Sequence, residues 1–243
     1  EENFAIDPIG ELERLYVSFG KDVSEEDLEQ RMEMARQETA KLQSGDEENT
    51  RLWKMFIDVS LKEFDSVYQR MGIKFDEVLG ESFYNPVLPS VVAELKKHEI
   101  AIDSDGAVVV SFPKGSKPKM LKDSVLVIQK KDGAYLYGTT DLATCDHRLN
   151  TWAPAEMIYV TDMRQQLHFQ QIFHAWNQLR TKRGETDETR QLPTMKHVWF
   201  GMLKLPEGAM STRQGNVIRL VDLLDEAVMR AKAVADEKSS AMS

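Results

Sequence analysis

One cysteine, Cys145, stands in 243 residues. A lone thiol forms no internal disulfide and offers too few thiolates for a cysteine-based zinc site. No apolar run approaches the roughly 20 residues that cross a bilayer as a helix. The acidic start Glu1-Glu2-Asn3-Phe4 lacks the basic-then-apolar layout of a signal peptide. The expectation is a cytoplasmic protein with no membrane partner. Positive charge is scarce too, with 31 Lys and Arg against 40 Asp and Glu, net −9. The deficit is local: residues 1–80 carry 20 acids and 10 bases, whereas 81–243 carry 20 and 21. A general nucleic-acid coat is excluded, because neutralising phosphates takes clustered cations, but a local contact by the second part is not. Also missing are G-x-G-x-x-G, Walker A, H-E-x-x-H and G-x-S-x-G patterns. Histidines 98, 147, 168, 174 and 197 show no metal-ligand spacing. Neither a metal site nor a tightly bound cofactor is expected.

What is present is helical at first and alternating later. Ser24 before Glu25-Glu26-Asp27 predicts a capped helix that stops near Gly45. Asp46 caps the next, whose apolar stripe runs through Leu52, Met55, Phe56 and Val59 and on to Phe64, Val67 and Tyr68 before Gly72. Residues 1–74 therefore predict a helical hairpin with an acidic outer face. After it come a loop over 80–86, a helix over 89–97 and a hairpin over 100–113 with Asp105-Gly106 at its tip. A basic loop holds Lys114, Lys117 and Lys119, and strands over 124–129 and 134–137 flank Asp132-Gly133. Thr140 is expected to cap a helix over 140–149. A strand over 157–160, a helix over 166–179, a polar linker over 181–194 and strands over 197–200 and 217–218 follow. A helix over 220–238 and a frayed tail, 239–243, end the chain. Strand–helix–strand alternation predicts an α/β fold with a parallel, helix-flanked sheet over 75–238.

Three groups of side chains have chemistry to offer. Tyr137-x-x-x-Asp141 puts a phenol at a strand end and a carboxylate in the next helix, suited to a guanidinium that a carboxylate holds bidentately. Asp141 reads equally as a plain N-terminal helix acid, and Glu81 as a solvated loop acid. Gln165, His168 and Gln171 recur at helical spacing and offer neutral donors and acceptors, though a lone helical histidine also suits a surface or a core. Met210-Ser211-Thr212-Arg213-Gln214-Gly215-Asn216 packs hydroxyls, a guanidinium and a glycine into a loop of the anion-wrapping kind.

Together these pieces resemble the second half of the catalytic domain of an arginyl-tRNA synthetase, a class I aminoacyl-tRNA synthetase. The likeness is carried by Gly80-Glu81-Ser82, Ile128-Gln-Lys-Lys-Asp-Gly133, Tyr135-Leu-Tyr137-x-Thr-Thr-Asp141 and Arg164-Gln165 through His168. Phe200-Gly201-Met202, Met210-Ser-Thr-Arg213-x-Gly215 and Leu220-Val-Asp-Leu-Leu-Asp-Glu-Ala227 complete it. The resemblance implies a partial Rossmann-like fold over 75–238, with residues 1–74 as a helical insertion. It implies that Glu81 and Asp141 hold a substrate guanidinium, that Tyr137 packs beside it and that Gln165 orients the amino acid. His168, Gly201 and Met202 fall on the nucleotide side, and Met210, Ser211, Thr212 and Arg213 form the signature loop, 209–216, that clamps ATP phosphates. The implied substrates are L-arginine, ATP with Mg2+ and tRNA(Arg), used by a monomer to make arginyl adenylate and pass the arginyl group to the tRNA 3′ end.

Two departures qualify the likeness. Ala209 stands at the first signature-lysine position, Thr212 and Arg213 at the last two, and Gln214 where many relatives carry another lysine. The sequence also contains no His-x-Gly-His and nothing after 238 that matches a helical anticodon-binding domain. The expectation is a partial chain with the arginine-facing wall, inactive in aminoacylation by itself. An alternative is a non-catalytic, synthetase-derived module binding through the acidic helical hairpin; it requires no convergence of Glu81 and Asp141 and leaves the 52–68 stripe open to a partner.

Overall fold

The computed structural model describes residues 2–21, 23–185, 192–201, 204–205, 208–209 and 218–241. They divide by contact into two units, Glu1–Asp76 with Leu203–Ser243, and Glu77–Met202.

The first unit opens with four helices, α1 (Glu2–Ile6), α2 (Pro8–Gly20), α3 (Glu25–Gln43) and α4 (Glu47–Arg70). Their starts follow the caps. Ser24 Oγ accepts from the Asp27 amide at 3.1 Å and Asp46 Oδ1 from the Asn49 amide at 3.0 Å, each satisfying a donor that a helix start leaves unpaired. Asn49 reaches back to the Glu38 carboxylate at 2.9 Å and joins α3 to α4. Phe56 on α4 meets Phe4 with ring centroids 6.0 Å apart.

The second unit begins with a 3-10 turn, Glu81–Val87, where the sequence predicts a plain loop. Tyr84 anchors it, buried against the His147 ring. Helix α5 (Leu88–Lys97) leads to strands β1 (Ile102–Ser104), β2 (Ala107–Phe112) and β3 (Ser124–Gln129), paired antiparallel in that order. At the β1–β2 tip Asp105 and Gly106 both have positive φ, 50° and 83°, as a two-residue type I′ turn requires. Helix α6 (Tyr137–Trp152) follows, then β4 (Glu156–Asp162), α7 (Gln166–Lys182) and β5 (Thr194–Phe200). β4 and β5 pair parallel along their whole length, Glu156 opposite Thr194 and Asp162 opposite Phe200, and α7 lies in the crossover that parallel pairing demands. The remaining elements are a small β6 (Lys204–Leu205) and β7 (Gly208–Ala209) hairpin, and α8 (Leu220–Ala241), both in the first unit. α8 meets α4 through an Arg70–Asp225 ion pair of 2.7 Å.

Two local expectations are corrected. The segment 134–137 is not a strand; one bridge, Gln129 to Tyr135, is all the pairing it makes. Nor does Thr140 cap α6, which starts three residues earlier at Tyr137. The cause is tertiary. Thr139 Oγ1 donates to the Ile128 carbonyl of β3 at 2.5 Å, and Gly138 lets the helix close on the sheet, since a Cβ there would meet Leu126 at 3.0 Å. Of the predicted strand at 217–218, Val217 lies outside the described residues and Ile218 is in no strand.

The core belongs to the second unit. Leu95, Leu121, Ile128, Ile172 and Trp176 have no exposed surface, and α6 and α7 fill the space between α5, β3 and β5. Burying one such aliphatic side chain contributes about 1.5–3 kcal/mol.

Candidate functional site

A cavity of about 310 Å³ opens where α6 faces β4 in the second unit. That is the small end of the size range of ligand pockets, about 300–1,000 Å³. Glu81 and Asp141 both line it. They arrive by different routes. Asp141 stands on α6, whose position is fixed by the Thr139 bond to β3. Glu81 begins the 3-10 turn, and Tyr84 of that turn packs on His147, six residues beyond Asp141 on the same helix.

The acceptors of the site are partly engaged. Asp141 Oδ2 lies 2.6 Å from His168 Nε2 on α7. A carboxylate accepts, so that nitrogen donates. Among the described residues no donor reaches Asp141 Oδ1 or the Glu81 carboxylate. Asp141 is the fifth residue of α6, so it is no first-turn acid, and the plain helix-acid reading loses its geometry. Tyr137 does not line the cavity. It is exposed, its ring edge-on to His168 at 5.1 Å, and so stands one side chain away from Asp141.

The structure adds wall residues that the sequence pattern does not single out. Thr144 and Arg148 line the cavity with Asp141, at i+3 and i+7 on α6. That spacing is a single helix face and was the available signal. The Arg148 guanidinium sits 4.8 Å over the Tyr159 ring of β4, a cation–π contact. Behind it, Tyr159 Oη and Cys145 Sγ share a hydrogen bond of 3.1 Å. Burial pushes the Cys145 thiol up to about 12 and raises the Tyr159 phenol as well, so this floor is neutral. His197 on β5 bonds Thr161 at 2.8 Å, and its pKa is lowered by burial and then by the neighbouring His168. Two acids and one guanidinium leave the cavity with one net negative charge.

The other candidates spread out. Gln165 closes a short 3-10 turn ahead of α7 and is exposed. Gln171, buried, donates to Ser124 Oγ at 3.1 Å and holds the sheet rather than the cavity. Gly201 follows β5, exposed. Met202 and Met210, Ser211, Thr212 and Arg213 lie outside the described residues.

A family model described as "tRNA synthetases class I (R), catalytic domain" matches residues 1–243. The chain belongs to this family. Curated relatives named arginine–tRNA ligase include one from Fusobacterium nucleatum, 47% identical over 241 residues, covering 97% of this chain and 38% of the relative. One from Clostridium botulinum is 39% identical over 246 residues, covering 98% and 40%. The chain thus spans about two fifths of the curated relatives it matches. Among solved structures, an arginyl-tRNA synthetase from Plasmodium falciparum superposes with a TM-score of 0.67 at 29% identity, over 88% of this chain and 33% of that one. An arginyl-tRNA synthetase from Thermus thermophilus superposes at 0.55 with 17% identity, over 93% and 45%, and speaks to the fold alone. The described strands of the second unit form two sheets, β1–β2–β3 antiparallel and β4–β5 parallel, with α6 and α7 packed against them. Among the described residues no helix is long and apolar enough to cross a membrane.

Proposed function

We propose that this chain supplies the arginine-facing wall of an arginine–tRNA ligase acting in the cytoplasm as a monomer. One observation carries the reading: Glu81 and Asp141, 60 residues apart in sequence, line one small cavity and keep acceptor oxygens open to a ligand. A guanidinium presents a planar fork of donors that fits carboxylates bidentately. His168 donates to Asp141 Oδ2 and so fixes the carboxylate, leaving Oδ1 to the substrate. Arg148 trims the charge of the site to one negative, the match for a single guanidinium. A neutral amino acid side chain would leave Asp141 Oδ1 and the Glu81 carboxylate without a donor and be rejected. Tyr137, edge-on to His168, is assigned to pack beside the guanidinium, and Gln165, just ahead of α7, to orient the amino acid. The binding-module alternative requires no such convergence and is not favoured.

In the reaction, an arginine carboxylate oxygen attacks the α-phosphorus of ATP. The bond from that phosphorus to the α–β bridging oxygen breaks and pyrophosphate leaves; the tRNA 3′-terminal hydroxyl oxygen then attacks the arginyl carbonyl carbon, the acyl–phosphate bond breaks, AMP leaves and the hydroxyl gives up its proton. In the first step the nucleophile is already ionised, so there the protein has to position and to stabilise phosphate charge rather than to remove a proton. Met210, Ser211, Thr212 and Arg213 are assigned to the phosphates, and His168, Gly201 and Met202 to the nucleotide side. Mg2+ travels with ATP, and we assign it no protein ligand.

Calorimetric titration of the chain with arginine, lysine serving as control, tests the reading. Saturable arginine binding is expected, weakened at least tenfold by Asp141→Asn and by Glu81→Gln, with lysine binding weakly or not at all. Arginine binding that survives both substitutions overturns the assignment.

A further inference from the structure

The connection between β2 and β3, residues 113–123, carries Lys114, Lys117, Lys119 and Lys122 against one acid, Asp123. In a chain of net charge −9 this is a cationic exception. All four lysines are exposed, and together with Gly115, Ser116 and Pro118 they line one concavity of about 420 Å³. None of them forms an ion pair with a described residue. The base of the loop is fixed. Leu121 is wholly buried, Ser124 Oγ donates to its carbonyl at 2.7 Å, and Gln171 of α7 donates to that same hydroxyl at 3.1 Å. Ser116 closes the loop's first turn by donating to the Pro113 carbonyl at 2.9 Å.

We propose that this loop is a contact for the phosphodiester backbone of RNA, a proposal that rests on the ligase reading for the identity of the partner. Lysines placed only for solubility gain from being spread out. Four around one concavity repel one another, and a bound polyanion relieves that repulsion. The choice of residue matters as well. Lysine is a compact point charge on a flexible stem, suited to phosphates at varying distances and not to planar, bidentate reading of a base edge. The loop has no aromatic ring on which a base could stack, so it takes up backbone and not sequence. The 1–80 segment, with 20 acids against 10 bases, offers the same polyanion no comparable cluster of cations.

The test is fluorescence anisotropy of a 5′-labelled tRNA transcript titrated with the whole chain across a salt series. It compares wild type, a fourfold Lys→Gln variant at 114, 117, 119 and 122, a fourfold Lys→Arg variant at those positions, and a control with Lys54, Lys62, Lys74 and Lys232 changed to Gln. Removing four phosphate contacts is expected to flatten the slope of log affinity against log salt by about 3, a difference of roughly 50- to 150-fold between 50 and 200 mM. The Lys→Arg variant keeps the wild-type slope, and the control keeps it too. An unchanged slope in the Lys→Gln variant, or an equal loss in the control, overturns the proposal. Displacement of the RNA by inorganic pyrophosphate at equal charge concentration overturns it in favour of a small-anion site. Arginine calorimetry on the same samples separates the two readings: arginine binding without RNA binding sinks the loop contact and leaves the pocket standing, whereas RNA binding through the loop without arginine binding sinks the pocket assignment.

Discussion

The two units of this chain are stabilised in opposite ways. Among the described residues every buried one lies in Glu77–Met202, and none lies in α1 to α4, although those helices include one of 24 residues. In the helical unit order is chiefly local, with few ties across the sequence such as Phe4–Phe56 and Arg70–Asp225. It comes from side-chain caps at α2, α3 and α4 and from ion pairs one turn apart such as Arg14–Glu11, Arg36–Glu33 and Arg51–Glu48. In the other unit order is collective, held by Trp176, Leu95 and Ile128 and by polar groups tied across long sequence separations. The cavity with Glu81 and Asp141 is in the collective unit, where a carboxylate can be held to a fixed geometry.

The largest effect should come from the core. Trp176 has no exposed surface, donates to Asp146 Oδ1 at 2.7 Å and lies under the Arg180 guanidinium at 4.6 Å. Trp176→Ala is expected to cost about 3–5 kcal/mol, since it leaves a cavity in the core. Site-resolved hydrogen exchange reads the outcome: protection in β3 and α6 collapses while that in α4 holds. Equal loss in α4 would show one cooperative transition and erase the contrast between the units.

A smaller loss is expected at Arg183, which binds two acids from two helices. Its Nε donates to Glu94 Oε1 at 2.8 Å, and its NH1 and NH2 donate to Asp146 at 3.0 and 2.8 Å. The side chains are mostly sheltered yet not fully buried, so Arg183→Met should cost about 1–3 kcal/mol, discounted for solvent screening. The hydrogen bonds from Arg183 hold the Glu94 carboxyl below the usual carboxylate value. A lowered folded value means that the pair's contribution is whole above the unfolded pKa, roughly 4.3, and is lost as pH falls through the folded one. Urea midpoints of wild type and variant should therefore differ most near neutrality and converge in acid. A gap that stays constant down to about pH 3 would remove Glu94 from the explanation.

This division also decides what the sequence discloses. The starts of α3 and α4 are legible from Ser24 and Asp46 because a cap is a contact three residues long. The β1–β2 tip is legible from Asp105-Gly106 for the same reason. The start of α6 is not, because Thr139 is claimed by the Ile128 carbonyl of β3, 11 residues back. At the cavity, Asp141 and Glu81 are visible as types and spacings, but their meeting depends on Tyr84 packing against His147. The His168–Asp141 bond spans 27 residues and no local pattern announces it. Arg148 is the exception, since its i+7 place on the Asp141 helix face is written in the sequence.

The smallest effect falls in the helical unit and tests the claim that its order is local. Ser24→Ala removes the one side-chain acceptor at the start of α3, and caps of this kind contribute about 0.5–2 kcal/mol. With no buried residue on α3 to compensate, the loss should show at the first turn, as faster exchange of amides 27–29, and fade toward Ala40. Ser24→Asp keeps an acceptor oxygen beside the positive end of the helix and should restore protection. The same Ser→Ala change would pass almost unseen in the second unit, where packing against β3 fixes the start of α6 without any side-chain cap. If Ser24→Ala leaves the first turn of α3 as protected as before, the helix is held from elsewhere, and the distinction between local and collective order fails at the place where it is simplest to see.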